Sequence, residues 1–266
     1  MILKVSLKDR NKYLNKYNIF GIKMIKITAS DLNLKNLKRK EEFTNSDVIA
    51  RLSKLSTKVT EVKIGERLFS RHINRFGKIG GFVESTARIN KQAYVGPNAV
   101  IYENAWIHGG KITGHAKVHG NAEVFIDSVV CDNAEIFGYA KILQKSIISQ
   151  NAIIHGHAEV KYSSITDYAE VYGKAVIEHS KICEHSKVFG ETTILDSIIS
   201  GYSKVFESSE VFGAKILDFS IIHRAALING PGVVIKGNSE VVGVVSSIKS
   251  LEIKNKKLSD KYKIST

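Results

Sequence analysis

The sequence predicts an all-β fold, a single-stranded parallel β-helix of about nine triangular coils, and three observations carry that expectation. One aliphatic residue recurs about every sixth position from Val83 to Val241, at 28 positions, and each is Ile or Val. The residue two before it is small: Ala 14 times, Ser ten, Gly three and Thr once. The positions that follow are often Gly-Asn or a close relative, as in Gly120-Asn121, Pro97-Asn98 and Gly237-Asn238. Side chains alternate along a strand, so positions i−2 and i share its inner face. The β-branched residue fills a narrow core, the small one lets the chain turn, and Gly or Asn accepts the positive φ of a corner.

The spacing adds a second period. Intervals are six except for five before Ile112, Ile165, Ile182, Ile199 and Ile216, and seven before Val241, with Val234 taken as the inner residue preceding it. All five shortened sides end at the same corner. From Val160 onward the coil is therefore 17 residues, and one corner trimmed in register argues for one continuous prism.

Taken in order, the chain divides at 57, 82 and 241. Residues 1–57 form a basic arm, 58–82 a strand and glycine lead-in acting as a cap, 83–241 the β-helix and 242–266 a basic tail. Residues 1–23 are Lys- and Asn-rich and read as weakly ordered, with Met24 an alternative start. Asn45-Ser46-Asp47 resembles an N-cap before Val48, Ile49, Leu52 and Leu55, which predicts a short helix over 46–56. Residues 59–70 alternate like a strand. Arg67, Arg71, His72 and Arg75 follow, read as a solvated cap over the open first coil rather than as an anion site. After Val241 the hexad decays, although 244–254 still read as extended and 255–266 as a frayed tail or a short docking strand.

The net charge of +13 is uneven. Residues 1–82 carry 19 Lys/Arg against 7 Asp/Glu, the rod 14 against 17, and the tail 6 against 2. A basic arm of this kind suits nucleic acid, an anionic surface or the acidic rod itself. Two cysteines and no long apolar run place the chain in a reducing, cytoplasmic setting, with a secreted effector as the alternative. Cys131 and Cys183 fall on one corner three coils apart, roughly 14 Å, too far for a disulfide.

The lead-in Phe76-Gly77-Lys78-Ile79-Gly80-Gly81-Phe82-Val83-Glu84-Ser85 is followed by Asn98-Ala99-Val100-Ile101-Tyr102 and Asn121-Ala122-Glu123-Val124-Phe125. In these motifs the chain resembles the hexapeptide-repeat superfamily, which includes acyl- and acetyltransferases and γ-class carbonic anhydrases. Within it the chain is most similar to bacterial and phage hexapeptide-repeat proteins of the YdcK-like kind, over about residues 60–241. The resemblance implies a left-handed helix and no agreed reaction.

Residues just after the inner aliphatic put a ring on one corner of eight successive coils: Tyr102, His119, Phe137, His155, Tyr172, Phe189, Phe206 and His223. At ~4.8 Å per coil these rings can stack, either as a stiffening ladder or as a binding strip. On one flat face Arg88, Trp106, Glu123, Lys141 and Glu159 succeed one another, the last three alternating in charge. A second face carries Tyr94, Val129, Ile147, Ile198 and Val233, apolar enough for a homotrimer interface. The leading expectation is a non-catalytic scaffold or protein-binding module, a bacterial or phage interaction or effector protein, with no cofactor. The alternative is a trimeric acyltransferase using acyl-CoA and a histidine base between subunits, drawn from His108, His119, His155 and His223. The hexad has no long loop inserted between coils, which weighs against that alternative. No metal site is expected: His119 and His155 lie two coils or about 10 Å apart, too far to share an ion.

Overall fold

In this computed structural model the described residues are 25–28, 51–259 and 263–265. The chain is an all-β parallel β-helix of about ten turns, matching the left-handed type. Each turn lays one short strand on each of three sheets. Among the described residues the first sheet has 14 strands: β1 (Ile25–Thr28), β2 (Val59–Ile64), β3 (Arg67–Ile73), β4 (Ile79–Glu84), then the coil strands from Val100–Ile101 to Lys257–Leu258. Among the described residues the second sheet has 11 strands, from Arg88–Ile89 to Lys263–Ser265, and the third has 10, from Tyr94–Val95 to Leu251–Lys254. Ile and Val of the hexad line the axis and are fully buried from Val95 to Ile228. Beside them sit the small residues, such as Ala99, Ala116 and Ser203.

The trimmed corner has a chemical explanation. It joins the second face to the third, where Tyr162, His179 and Asp196 take positive φ in place of a longer turn. Shortening removes the turn carbonyl three residues back that the small residue's N–H uses at the longer corners, as Ala152 N–H uses Ser149 O. A serine hydroxyl replaces it: Ser180 N–H donates to Ser163 Oγ at 3.0 Å, Ser197 N–H to Ser180 Oγ at 3.0 Å and Ala214 N–H to Ser197 Oγ at 3.1 Å. The small inner residue of this corner is thus serine for hydrogen bonding as well as for size.

Acidic residues close the other two corners. Glu103, Asp132, Asp167, Glu184, Glu207 and Asp218 all sit at positive φ, which costs a non-glycine residue energy. Each carboxylate accepts a backbone N–H one coil on, from Gly120, Gln150, Glu184, Gly201, Arg224 and Gly237 respectively, at 2.7–3.1 Å. Charge-assisted bonds of this kind offset the backbone strain.

Several expectations need correction. Residues 59–70 are not one strand: β2 and β3 form an antiparallel hairpin through a two-residue turn, Gly65-Glu66, with Gly65 at φ 59 in the first turn position. The inner residue before Val241 is Ile235, fully buried and paired with Ile216, while Val234 pairs with Lys215 and faces out. The extra residue therefore falls before Ile235, in Gly230-Pro231-Gly232, and Val233 is buried as its inner companion. Nor does the prism end at Val241. Val245, Ile253 and Leu258 stay buried, and strands up to Lys263–Ser265 extend all three sheets.

The expected weakly ordered segment over 1–23 and the first half of the helix expected over 46–56 lie outside the described residues. The remainder closes a turn, Lys54 and Leu55 N–H donating to the Arg51 and Leu52 carbonyls. Leu52 packs into a small cap core with Val59, Val62, Phe69 and Phe82.

Arg71 holds this cap, and it is neither solvated nor an anion site. It is buried, its guanidinium lies 4.0 Å over the Phe82 ring, and it donates to the carbonyls of Val59, Gly80, Pro97, Leu55 and Ser56. Burial lowers its affinity for the proton below the ordinary value. Asn74 terminates the third face, bonding Val95 O through Nδ2 and Val95 N–H through Oδ1, both at 2.8 Å. Arg67 grips Glu84 in a two-pronged pair at 2.8 and 2.6 Å.

Candidate binding surface

All eight rings expected on the corner between the first and second faces form one unbroken stack. Neighbouring centroids lie 4.4–5.1 Å apart and interplanar angles run from 1° to 16°. The stack follows from register. Lys117 pairs with Val100 and Glu135, and so on coil by coil, so each ring stands over the one before. Tyr102 is buried at the cap end, beneath Arg67, and burial raises its hydroxyl well above the ordinary tyrosine range. The other seven rings are half-buried. They use their faces on each other and offer mainly edges.

The ladder histidines are tied at the side as well as at the faces. His119 Nε2 lies 3.1 Å from Glu135 Oε1, His155 Nε2 3.4 Å from Glu170 Oε1, and His223 Nε2 3.1 Å from Glu240 Oε1. His108 belongs to the next corner, stacked against Trp106 and Phe125, with Nε2 2.6 Å from Glu123. The four candidate bases thus never converge, and each has Nε2 engaged by a carboxylate. Among the described residues no group of three or more His, Cys, Asp or Glu is placed to hold a metal ion.

These carboxylates are expected to make the rod acid-sensitive. The bond from His119 holds Glu135 below the ordinary range, with help from Lys117 and against burial. Burial pushes Glu170 up, but Lys187 and His155 outweigh it. Lys257 and His223 lower Glu240, and the Glu184 N–H lowers Asp167. A carboxylate depressed in the folded state stabilises it above the unfolded value of about 4 and stops doing so as pH falls through the folded value. The thermal midpoint is therefore expected to hold between pH 7 and about 5 and to fall steeply below about 4. A midpoint unchanged down to pH 3 would show that these bonds contribute nothing.

On the second face the register aligns Glu123, Lys141 and Glu159, yet only Lys141 and Glu159 pair, at 3.5 Å, because His108 takes Glu123. Such exposed pairs add little. Where long corners give way to trimmed ones, a groove of about 440 Å³ opens between Phe125, Leu143, Lys161 and Val176. On the third face Tyr94 and Ile147 are exposed and Val129 and Ile198 half-exposed, as expected, but the outward valine is Val234 and not Val233. Cys131 and Cys183 are free, and burial raises both thiols.

The sequence reading missed a second column, three residues beyond the inner aliphatic rather than one. At the corner between the third and first faces, Tyr168, His185, Tyr202 and Phe219 stack with centroids 4.7–5.2 Å apart. The signal was present, four rings at intervals of one 17-residue coil.

No helix among the described residues is long and apolar enough to cross a membrane. No protein-family model matches the chain, and no curated protein matches it.

Proposed function

We propose that this chain is a non-catalytic hexapeptide-repeat scaffold of the YdcK-like kind, holding a protein partner or further copies of itself along the rod. The observation that supports the reading is the eight-ring stack with each of its histidines bonded to a glutamate. That arrangement stiffens an edge over eight coils. The third face, with Tyr94, Ile147, Ile198 and Val234 outward among Lys111, Lys181 and Lys215, is the surface on which copies of the chain would pack as a homotrimer.

The deciding experiment is thermal unfolding with and without millimolar coenzyme A and acetyl-CoA. A ligand at 100 times its Kd adds about 2.7 kcal/mol, several degrees for a chain of this size. The scaffold reading expects no shift. A clear rise would replace it with the acyltransferase and direct substitution to His108, His119, His155 and His223.

A further inference from the structure

We propose that the tip of the β3–β4 hairpin is an anchor that inserts into an anionic lipid surface. The proposal goes beyond the scaffold reading and does not depend on how the rod is used.

The tip holds apolar side chains in the open. Ile73 and Phe76 are 60% and 97% exposed. Phe76 stands at φ 59, ψ 26, a left-handed conformation that a residue other than glycine adopts at a cost. Asn74 fixes the turn between them. Its N–H donates to the Lys78 carbonyl at 2.9 Å, its carbonyl accepts the Gly77 N–H at 3.2 Å, and its side chain is bonded to both backbone groups of Val95. A fixed, strained turn that displays an aromatic ring to solvent points to a contact outside the chain.

Cations surround this tip, and no carboxylate beside it balances them. Arg71 ties residues 55–59 and the Pro97 corner to the hairpin, and Asn74 ties Val95 to it. The segments so gathered, residues 51–60, 71–82 and 90–98, contain no Asp or Glu. They expose Lys54, Lys58, Arg75, Lys78 and Lys91, none of which forms a salt bridge with another described residue. The register that sets Glu61 opposite Ser70 brings Lys58 to the Ile73 end of the sheet. Glu61 lies inside β2, while Glu66 and Glu84 lie at the other end, taken up by Lys63 and Arg67. Residues 1–50 carry 11 Lys/Arg against 5 Asp/Glu, a balance of the same sign.

The layering selects the occupant. An anionic bilayer presents negative headgroups at its surface and hydrocarbon beneath, and the tip presents cations around a projecting apolar pair. Depth and charge match in the same order. A single-stranded nucleic acid takes its bases on ring faces along a groove. Here one ring stands on a projecting turn beside an isoleucine, which has no face to stack on.

The test is co-sedimentation of the full chain with vesicles of phosphatidylcholine, with and without added phosphatidylserine. Binding is expected to the anionic vesicles only, and to weaken as salt rises. Ile73→Ser with Phe76→Ser should weaken it roughly tenfold or more. Lys58→Gln with Lys78→Gln should weaken it roughly fivefold per charge. All four side chains are exposed, and melting curves like the parent's establish that both variants are folded. Phe76→Trp should emit further to the blue on anionic vesicles, a shift that charge alone would not produce; Trp106, the one natural indole, lies on the second face. An unchanged emission, or full binding by the folded Ile73→Ser, Phe76→Ser variant, would overturn the proposal and assign the contact to charge alone. Capture of a single-stranded oligonucleotide but no vesicle, lost in both variants, would put nucleic acid in place of lipid. A chain that captures neither would also overturn the proposal, leaving a protein pocket as the tip's only occupant. None of these results touches the scaffold reading, which the coenzyme A experiment decides.

Discussion

Replacing Arg71 with alanine is expected to destabilise the protein by about 3–5 kcal/mol. The side chain serves five backbone carbonyls drawn from the turn before β2, from β2 itself, from β4 and from the first coil. A buried acceptor left without a donor costs ~1–3 kcal/mol, so two or three that water cannot reach account for that figure. Lysine should rescue little, since one ammonium with three donors cannot reproduce a planar fork with five. A β-helix is stabilised mainly between neighbouring coils, so damage should begin at the cap. Hydrogen exchange would read this directly: amides of β2–β4 should lose protection first while central coils such as Val171 and Val188 keep theirs. Uniform loss along the rod would show that Arg71 does not act through the cap.

Gly81→Ala is expected to cost about 3 kcal/mol or more, the upper part of the range for overpacking. A Cβ there would lie 2.0 Å from the Ala99 carbonyl oxygen and 2.6 Å from that of Gly96. Both obstacles are backbone, so β4 would have to part from the first coil. Gly77→Ala is the comparison. Its φ is 72, but nothing lies within 4 Å, so only the left-handed conformation is penalised, at about 1 kcal/mol. Denaturant midpoints of the two variants should separate clearly, and equal losses would refute the steric account.

These two sites mark where the sequence stops being legible. The repeat is readable because one steric demand recurs: a β-branched residue inside, a small one two before it, coil after coil. It fails where that demand is met twice in succession. Val233, Val234 and Ile235 are all β-branched, and only the ladder, Ile216 against Ile235, decides which faces the core. Gly80-Gly81 could be picked out as a motif, but the carbonyls that require it could not. Arg71 was harder still. Its partners are peptide carbonyls, which every residue carries, so no pattern of side chains announces it. The eight-ring ladder could be read because its residues adjoin the aliphatic column that sets the count. The Tyr168–Phe219 column lies two residues further on, past a corner, where attention to the inner residue gives no guidance.

The registers Val160, Ile177, Ile194, Val211 and Ile228 make the later rod a ruler graduated in steps of ~4.8 Å. Gain or loss of one whole 17-residue coil moves the end of the ruler by one graduation and leaves every column on its own edge. A change of six residues would instead rotate all that follows by a third of a turn, carrying core-compatible hexads along but scattering rings, lysines and carboxylates onto new faces. The fold would tolerate both events; the surface would survive only the first. Reach and recognition can therefore evolve separately in this chain, provided that length varies in whole coils.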